Sequence, residues 1–198
     1  MLKQCFKHLS ILFVLTFLVA CSGTPKKPVI VIEKTSVNTL PVLSEAEKAS
    51  YQRALNFLSQ EEFSQAELLF NDLVEKQPML TGAFVNLGVI KKKSGQLEEA
   101  KTFFLKALEI NPNFIDALLQ QSLMYQDSGE FTKAEDLLRR AEAVQPNHPL
   151  VNYNLGVLYE LYLQEYSLAI KYYQRYISVS NADDVEMVKR WVQLLERK

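Results

Sequence analysis

Three patterns of apolar and polar residues divide the 198-residue chain. Residues 9–20 are an uncharged apolar run, and residues 22–44 hold three prolines and show no helical period. Beyond them, apolar and small residues recur at helical spacing. Ser44 and Glu47 form a capping-box pattern, which predicts that the first helix begins beside Ser44. The chain is therefore expected to be an all-α domain that follows an apolar leader and an extended segment.

A spacing of 34 residues organises the chain after residue 46. The residues that share this spacing are Pro78, Pro112 and Pro146, together with Ala66, Ala100 and Ala134. A period of this length, with small residues, a turn glycine and a terminal proline, resembles the tetratricopeptide repeat, a helix-turn-helix unit. The resemblance implies a right-handed all-α solenoid of about four helix pairs over residues 45–182.

Repeat two, residues 81–114, is the clearest copy. Gly88 and Ala100 are expected to let its two helices approach closely, and Gly95 to take the left-handed turn conformation. Repeat one has Glu61 where glycine is usual. In repeat four, Ala169 comes one residue late, which predicts an insertion in the turn around residues 163–165.

The last segment, residues 183–198, is predicted to be a capping helix. Residues 181–184 offer side chains that favour a helix N-terminus. The apolar residues that recur on one face are Val185, Val188, Val192 and Leu195. Such a helix covers the exposed core at the end of a solenoid.

The amino terminus has the pattern of an export signal. Lys3 and Lys7 precede the apolar run, which is too short to span a bilayer comfortably. The run ends in Leu-Val-Ala-Cys at residues 18–21, which resembles the lipobox of bacterial lipoproteins. The resemblance implies that residues 1–20 are removed, that Cys21 carries fatty acyl chains such as palmitate, and that residues 22–44 form a tether. The alternative is an ordinary signal peptide or a buried helix that ends in cysteine.

By the same resemblance, Ser22 after the cysteine favours export to the periplasmic face of the outer membrane.

The formal net charge of -1 gives no electrostatic basis for binding nucleic acid. Two cysteines, Cys5 and Cys21, exclude a disulfide framework and a cysteine-ligated zinc site.

Candidate chemistry is sparse. His148 is the one histidine left after processing, and it is expected to be a solvated loop residue. No nucleophile, phosphate-binding or metal motif is present, so we predict no catalytic residue, no metal and no cofactor. An enzymatic role is a remote alternative.

The three lysines at residues 91–93 are predicted to be a solvated helix end.

The resemblance further implies that the first helix of each repeat lines a concave, peptide-binding face. The repeats are taken to begin at residues 47, 81, 115 and 149. Counted from these starts, position six is always an amide, in Gln52, Asn86, Gln120 and Asn154. The flanking groove residues are Tyr51 and Tyr153 at position five, and Leu55, Val89, Leu123 and Val157 at position nine. An amide can donate to and accept from a peptide backbone. Alternatively, these residues only support packing.

A second candidate surface is the tyrosine-rich end of the chain. Seven of the nine tyrosines lie in repeat four. Because tyrosine is enriched in interfaces, a partner or a second copy could dock through Tyr172, Tyr176 and Trp191.

These features predict a non-enzymatic scaffold that binds peptide segments of envelope proteins. The arrangement is similar in architecture to the repeat lipoproteins that assist assembly of type IV pilus secretins, which implies a role in pilus or secretion-complex assembly. The alternative is an adaptor for peptidoglycan hydrolases or synthases.

Overall fold

A computed structural model describes residues 42–197. Over this range the chain forms four helix pairs and a terminal helix, and it contains no strand. The pairs are α1 Glu45–Ser59 with α2 Phe63–Lys76, α3 Thr81–Lys93 with α4 Leu97–Ile110, α5 Ile115–Asp127 with α6 Phe131–Val144, and α7 Pro149–Val157 with α8 Tyr166–Val179. A π-helical turn, Leu158–Tyr162, continues α7, and α9 spans Val185–Leu195. The predicted all-α solenoid with a capping helix is confirmed.

The apolar leader, Cys21 and the segment that follows it up to residue 41 lie outside the described residues. No helix within residues 42–197 has the length and apolar character needed to cross a bilayer.

The start of α1 follows the predicted capping box. Ser44 Oγ accepts a hydrogen bond from the backbone N–H of Glu47 at 3.3 Å, and Glu47 Oε2 accepts one from the backbone N–H of Ser44 at 2.7 Å. Leu43, just before the cap, is buried with the core residues of repeat one. The capping box thus fixes the point where the chain enters the solenoid.

Glycine sets the distance between paired helices. A Cβ atom at Gly88 would lie 2.4 Å from Cε1 of Phe104, and one at Gly156 would lie 2.5 Å from Cδ1 of Tyr173. Neither distance is compatible with an unshifted ring. The predicted close approach at Gly88 is confirmed, and Gly156 has the same role in repeat four.

The turn within each repeat contains one residue in the left-handed conformation. Gly95 has φ of 79° and Gly129 of 78°. Glu61 in repeat one and Gln164 in repeat four adopt the same conformation, with φ of 60° and 58°. Repeat one therefore turns like its neighbours although it lacks glycine, because the packing of its two helices imposes the backbone conformation.

The extra residue of repeat four lies in a helix and not in the turn, which corrects the expected location. The N–H of Leu163 donates to the carbonyl of Leu158 at 3.1 Å, a bond that spans five residues. The turn that follows, residues 163–165, is as long as the turn at residues 128–130. A π-helical turn accommodates one inserted residue without breaking the helix, so the turn itself keeps its length.

The terminal helix packs on α8. Its buried residues are Val188, Val192 and Leu195. Asp184 stands at the N-cap but makes no side-chain capping bond, contrary to expectation. Its carboxylate accepts a hydrogen bond from the hydroxyl of Tyr176 instead, because the packing of α9 on α8 brings the two groups together.

Candidate protein-binding site

The amides of position six lie on the first helices of the repeats, but most of them are buried. Gln52 is exposed, whereas Asn86 is 1% exposed, Gln120 5% and Asn154 6%. The side-chain nitrogen of Asn86 donates to the carbonyl of Gly82 at 2.9 Å, and that of Asn154 donates to Leu150 at 2.7 Å. The row is therefore not an open ladder of amides, and two of its NH₂ groups bind their own helices.

Asn86 also links repeats one and two. Its Nδ2 donates to the hydroxyl of Tyr51 at 3.0 Å. Its Oδ1 is buried and has no hydrogen-bond donor among the described residues. This leaves a desolvated acceptor on the face of α3.

The apolar residues at positions five and nine of the repeats differ in how they are packed. At position nine all four residues are half-buried, namely Leu55, Val89, Leu123 and Val157. At position five, Tyr51 packs edge-on against Phe70 at 5.5 Å between ring centroids, and Tyr153 lies 5.3 Å from Tyr176. Position five therefore supports the core, and position nine leaves part of its apolar surface exposed.

Asp116 is a carboxylate on the first helix of a repeat and is not among the predicted groove residues. It lies at position two of repeat three, in the first turn of α5, and is half-buried. Burial raises the pKa of its carboxyl to about 6. A carboxylate at a helix start is ordinarily explained by the helix dipole, so its sequence context alone did not distinguish it.

The tyrosines proposed as a second surface are mostly core. Tyr172 is 1% exposed and Tyr176 3%, so the prediction that they present an exposed surface is wrong. The reason is that α6 and α9 cover repeat four in addition to its own helix pair. Trp191 is half-buried and tilts against Tyr173 with the ring centroids 6.3 Å apart.

An arginine organises this cluster between repeats three and four. Tyr159 and Tyr172 stack with ring centroids 5.7 Å apart, and the Arg139 guanidinium lies 5.4 Å from the centre of the Tyr172 ring. Arg139 donates to both hydroxyls. Glu142 accepts from Tyr172 and from Arg175. Burial and Glu135 raise the pKa of Tyr159, so its hydroxyl stays protonated.

The three lysines at the end of α3 are ion-paired, which corrects their description as a solvated helix end. Lys91 is 12% exposed and contacts Glu67 and Glu99 at 2.8 and 3.2 Å. The Lys92 ammonium lies 3.4 Å from the Asp127 carboxylate, and that of Lys93 lies 3.9 Å from Glu61. Together they connect repeat two to repeats one and three.

His148 is the N-cap of α7 and not a solvated loop residue. Its Nδ1 accepts from the backbone N–H of Val151 at 3.4 Å. Burial lowers the pKa of the imidazole, which keeps Nδ1 available as an acceptor. Within residues 42–197, no three His, Cys, Asp or Glu side chains are grouped so that they could hold a metal ion.

Two family models described as tetratricopeptide repeat match residues 82–114 and 119–184. The chain belongs to the tetratricopeptide-repeat family. Members of this family serve as protein–protein interaction scaffolds, and a binding scaffold is the general function of this chain. No curated protein matches it in sequence.

Solved structures, among them two tetratricopeptide-repeat proteins, share the fold. One from Parabacteroides merdae is 21% identical with a TM-score of 0.60, over 77% of this chain and 61% of that protein. One from Thermus thermophilus is 24% identical with a TM-score of 0.64, over 75% of this chain and 81% of that protein. MamA is 16% identical with a TM-score of 0.57, over 78% of this chain and 90% of its own. At these identities the likeness shows the fold alone.

Buried polar residues mark where this chain departs from its own repeat pattern. Position seven is Leu87 in repeat two and Leu155 in repeat four, both fully buried. In repeat three it is Gln121, which is 1% exposed. Neither amide atom of Gln121 has a hydrogen-bond partner in the described part of the chain. The tetratricopeptide core thus contains an uncompensated polar group in its third repeat.

Proposed function

We propose that this protein is a lipid-anchored scaffold on the periplasmic face of the outer membrane, where its concave face binds peptide segments of envelope proteins. The observation that carries the proposal is the Leu-Val-Ala-Cys sequence at residues 18–21, upstream of a repeat domain that begins near residue 45. A basic start and an uncharged apolar run precede it, as export requires.

The anchor and the repeat domain are joined by residues 22–44. Acylated Cys21 would hold the protein at the bilayer surface while the solenoid meets its partner in the periplasm. This arrangement suits a protein that keeps one component of a membrane machine close to its site of assembly.

Peptide binding is supported by the surface that position nine provides. Val89 and Leu123 are half-buried apolar residues on neighbouring first helices. Of the four position-six amides only Gln52 is exposed. An extended segment could bury its apolar side chains against position nine and hydrogen-bond to the amide of Gln52. We assign the partner to pilus or secretion-complex assembly, and the identity of the trapped protein tests that assignment against a cell-wall enzyme.

The anchor is tested by Cys21→Ser in cells that produce the full chain. We expect the variant to leave the membrane fraction, whereas Cys5→Ser, which changes a cysteine inside the leader, should remain there. Mass spectrometry of the mature wild-type chain should find an acylated N-terminal Cys21. An unmodified N-terminus at any other residue would disprove the lipid anchor.

The concave face is tested by a photo-activated cross-linking residue placed at Leu123, with Thr102 on the exposed side of α4 as the matched position. We expect irradiation of living cells to trap one envelope protein from Leu123 and none from Thr102. Equal trapping from both positions would place the binding surface elsewhere. A trapped peptidoglycan enzyme, in place of a pilus or secretion component, would change the assigned partner and leave the scaffold function intact.

A further inference from the structure

The boundary between repeats two and three differs from the other two boundaries of the solenoid. Positions three, seven and ten of a first helix lie on one face, because spacings of four and three residues follow the helical period. In repeat two this face belongs to the same apolar cluster as buried residues of α2, and in repeat four to that of α6. The residues on it are all fully buried and apolar, namely Ala83, Leu87 and Ile90 in repeat two, and Val151, Leu155 and Leu158 in repeat four.

Between repeats two and three the same face is polar at its centre. Ala117 and Met124 of α5 belong to the same apolar cluster as Phe104 of α4. Gln121 lies between them on this face of the helix, and neither atom of its buried amide has a hydrogen-bond partner in the described part of the chain. Met124 is only half-buried. Apolar burial and hydrogen bonding therefore both hold this boundary less firmly than its neighbours.

The polar contacts that join the repeats follow the same order. The shielded pair of Lys91 joins repeats one and two, and Arg139 with its tyrosine partners joins repeats three and four. Between repeats two and three, the Lys92 ammonium lies 3.4 Å from the carboxylate of Asp127, a side chain that is 46% exposed. The exposed Arg140 donates to a carbonyl of the turn between α4 and α5. Contacts this open to water contribute little to stability.

We propose that the solenoid divides at this boundary into two cooperative blocks, residues 45–110 and 115–195, and that the first block opens while the second stays folded. In a repeat array each unit is held by its own packing and by its interfaces with neighbours, so a weak interface lets one side open alone. The second block is the more stable, because the largest apolar cluster of the described residues spans repeats three and four and α9. The opening separates the first helices of repeats one and two from those of repeats three and four.

Urea unfolding of the full chain, in a detergent without aromatic groups, tests the division because the second block has its own probe. Trp191, in α9, is the single tryptophan of the sequence, and its fluorescence reports the second block. Circular dichroism reports the helices of both blocks. We expect the helical signal to fall in two steps and the fluorescence to change only in the second. Coincident curves from the two probes would overturn the proposal.

Gln121→Leu tests the role of the boundary, because it installs the residue found at this position in repeats two and four. The first step should move to higher urea, toward the second, with the opening constant of the first block reduced about tenfold. The second step should not move, since the boundary is already broken when the second block unfolds. Gln60→Leu, at an exposed position of the first block, should leave both steps unchanged. A first step that stays in place in Gln121→Leu would overturn the role of this residue and of the boundary.

Hydrogen exchange, measured by mass spectrometry at urea concentrations below the first step, identifies the part that opens. Amides of α1 to α4 should exchange together through one opening, and those of α5 to α9 should exchange more slowly. Exchange confined to α1 and α2 would mean that the first repeat opens alone, and would overturn a division between α4 and α5. Equal protection from α1 to α9 would overturn it as well.

Discussion

Lys91 of repeat two lies 2.8 Å from Glu67 of repeat one, Nζ to Oε1, and only 12% of the lysine side chain is exposed. The hydrogen bond to Glu67 raises the pKa of Lys91 despite its burial. Most of a repeat protein's stability comes from contacts within repeats and between neighbours. A shielded ion pair across the boundary therefore couples the first two repeats.

Lys91→Met tests this coupling, because methionine keeps much of the apolar stem and removes the ammonium. We expect the free energy of unfolding to fall by about 1 to 2 kcal/mol, less than for a fully buried charged hydrogen bond because Glu67 and Glu99 can regain water. Urea denaturation measures it. Lys93→Met is the control, since its pair is longer and more exposed, and it should change stability by less than about 0.5 kcal/mol. Equal losses for the two variants would contradict the assignment.

Gly88→Ala should destabilise repeat two. The added Cβ would lie 2.4 Å from the buried Phe104 ring, so either the ring or the helix must shift. Overpacking of this kind typically costs about 1 to 3 kcal/mol. Thermal unfolding followed by circular dichroism measures the change. Ser64→Thr, which adds a methyl group on the exposed side of α2, should leave the transition almost unchanged.

Gln121→Leu should stabilise the protein. The substitution removes a buried amide that has no hydrogen-bond partner among residues 42–197 and installs the residue found at Leu87 and Leu155. An unsatisfied buried polar group costs about 1 to 3 kcal/mol, and we expect a gain in that range. Urea denaturation of the variant, compared with Gln60→Leu at an exposed position, measures it. A loss of stability would mean that the Gln121 amide has a partner.

Asp116→Asn should change how stability depends on pH. The pKa of this carboxyl is raised by burial from an ordinary 3.8 to about 6, so between these values the folded chain binds more protons than the unfolded chain. Stability contributed by Asp116 therefore falls as pH rises through this interval. The variant should lose that slope and be more stable at pH 7 by about 1 to 3 kcal/mol. Asp136→Asn, at an exposed position on α6, should retain the wild-type slope.

The fold was predictable because its determinants are local and periodic. The spacing of Pro78, Pro112 and Pro146 located the repeats, and the capping box of Ser44 and Glu47 located the first helix. Small residues such as Gly88 indicated where helices meet. The cap and the small residues act within one helix pair, and the proline spacing marks the same point in successive pairs.

The environment of long amphipathic side chains was not predictable in the same way. Lys91 and Tyr172 have stems or rings that can be buried while their polar ends stay bonded, and which outcome occurs depends on neighbouring repeats. Glu67 and Arg139 supply those partners here. Asn86 and Asn154 are not exposed amides for a different, local reason: each donates to a carbonyl four residues earlier on its own helix, that of Gly82 or of Leu150.

The late Ala169 showed that repeat four contains an extra residue but did not show where it lies. The spacing shows only how many residues separate two equivalent positions of neighbouring repeats. One extra residue changes that number equally whether it lies in the turn or in a π-helical turn. Only the hydrogen bond from Leu163 to Leu158 distinguishes them.

The cover that α9 places over α8 determines how this array can lengthen. A unit added after repeat four would have to displace Val188, Val192 and Leu195 from the core and meet Tyr176 where a small residue is needed. Repeat four, with its π-helical turn, is likewise a specialised end piece. Longer versions of this protein, whether evolved or engineered, should therefore arise by duplication of an internal unit such as residues 81–114, which would extend the concave face and leave both ends unchanged.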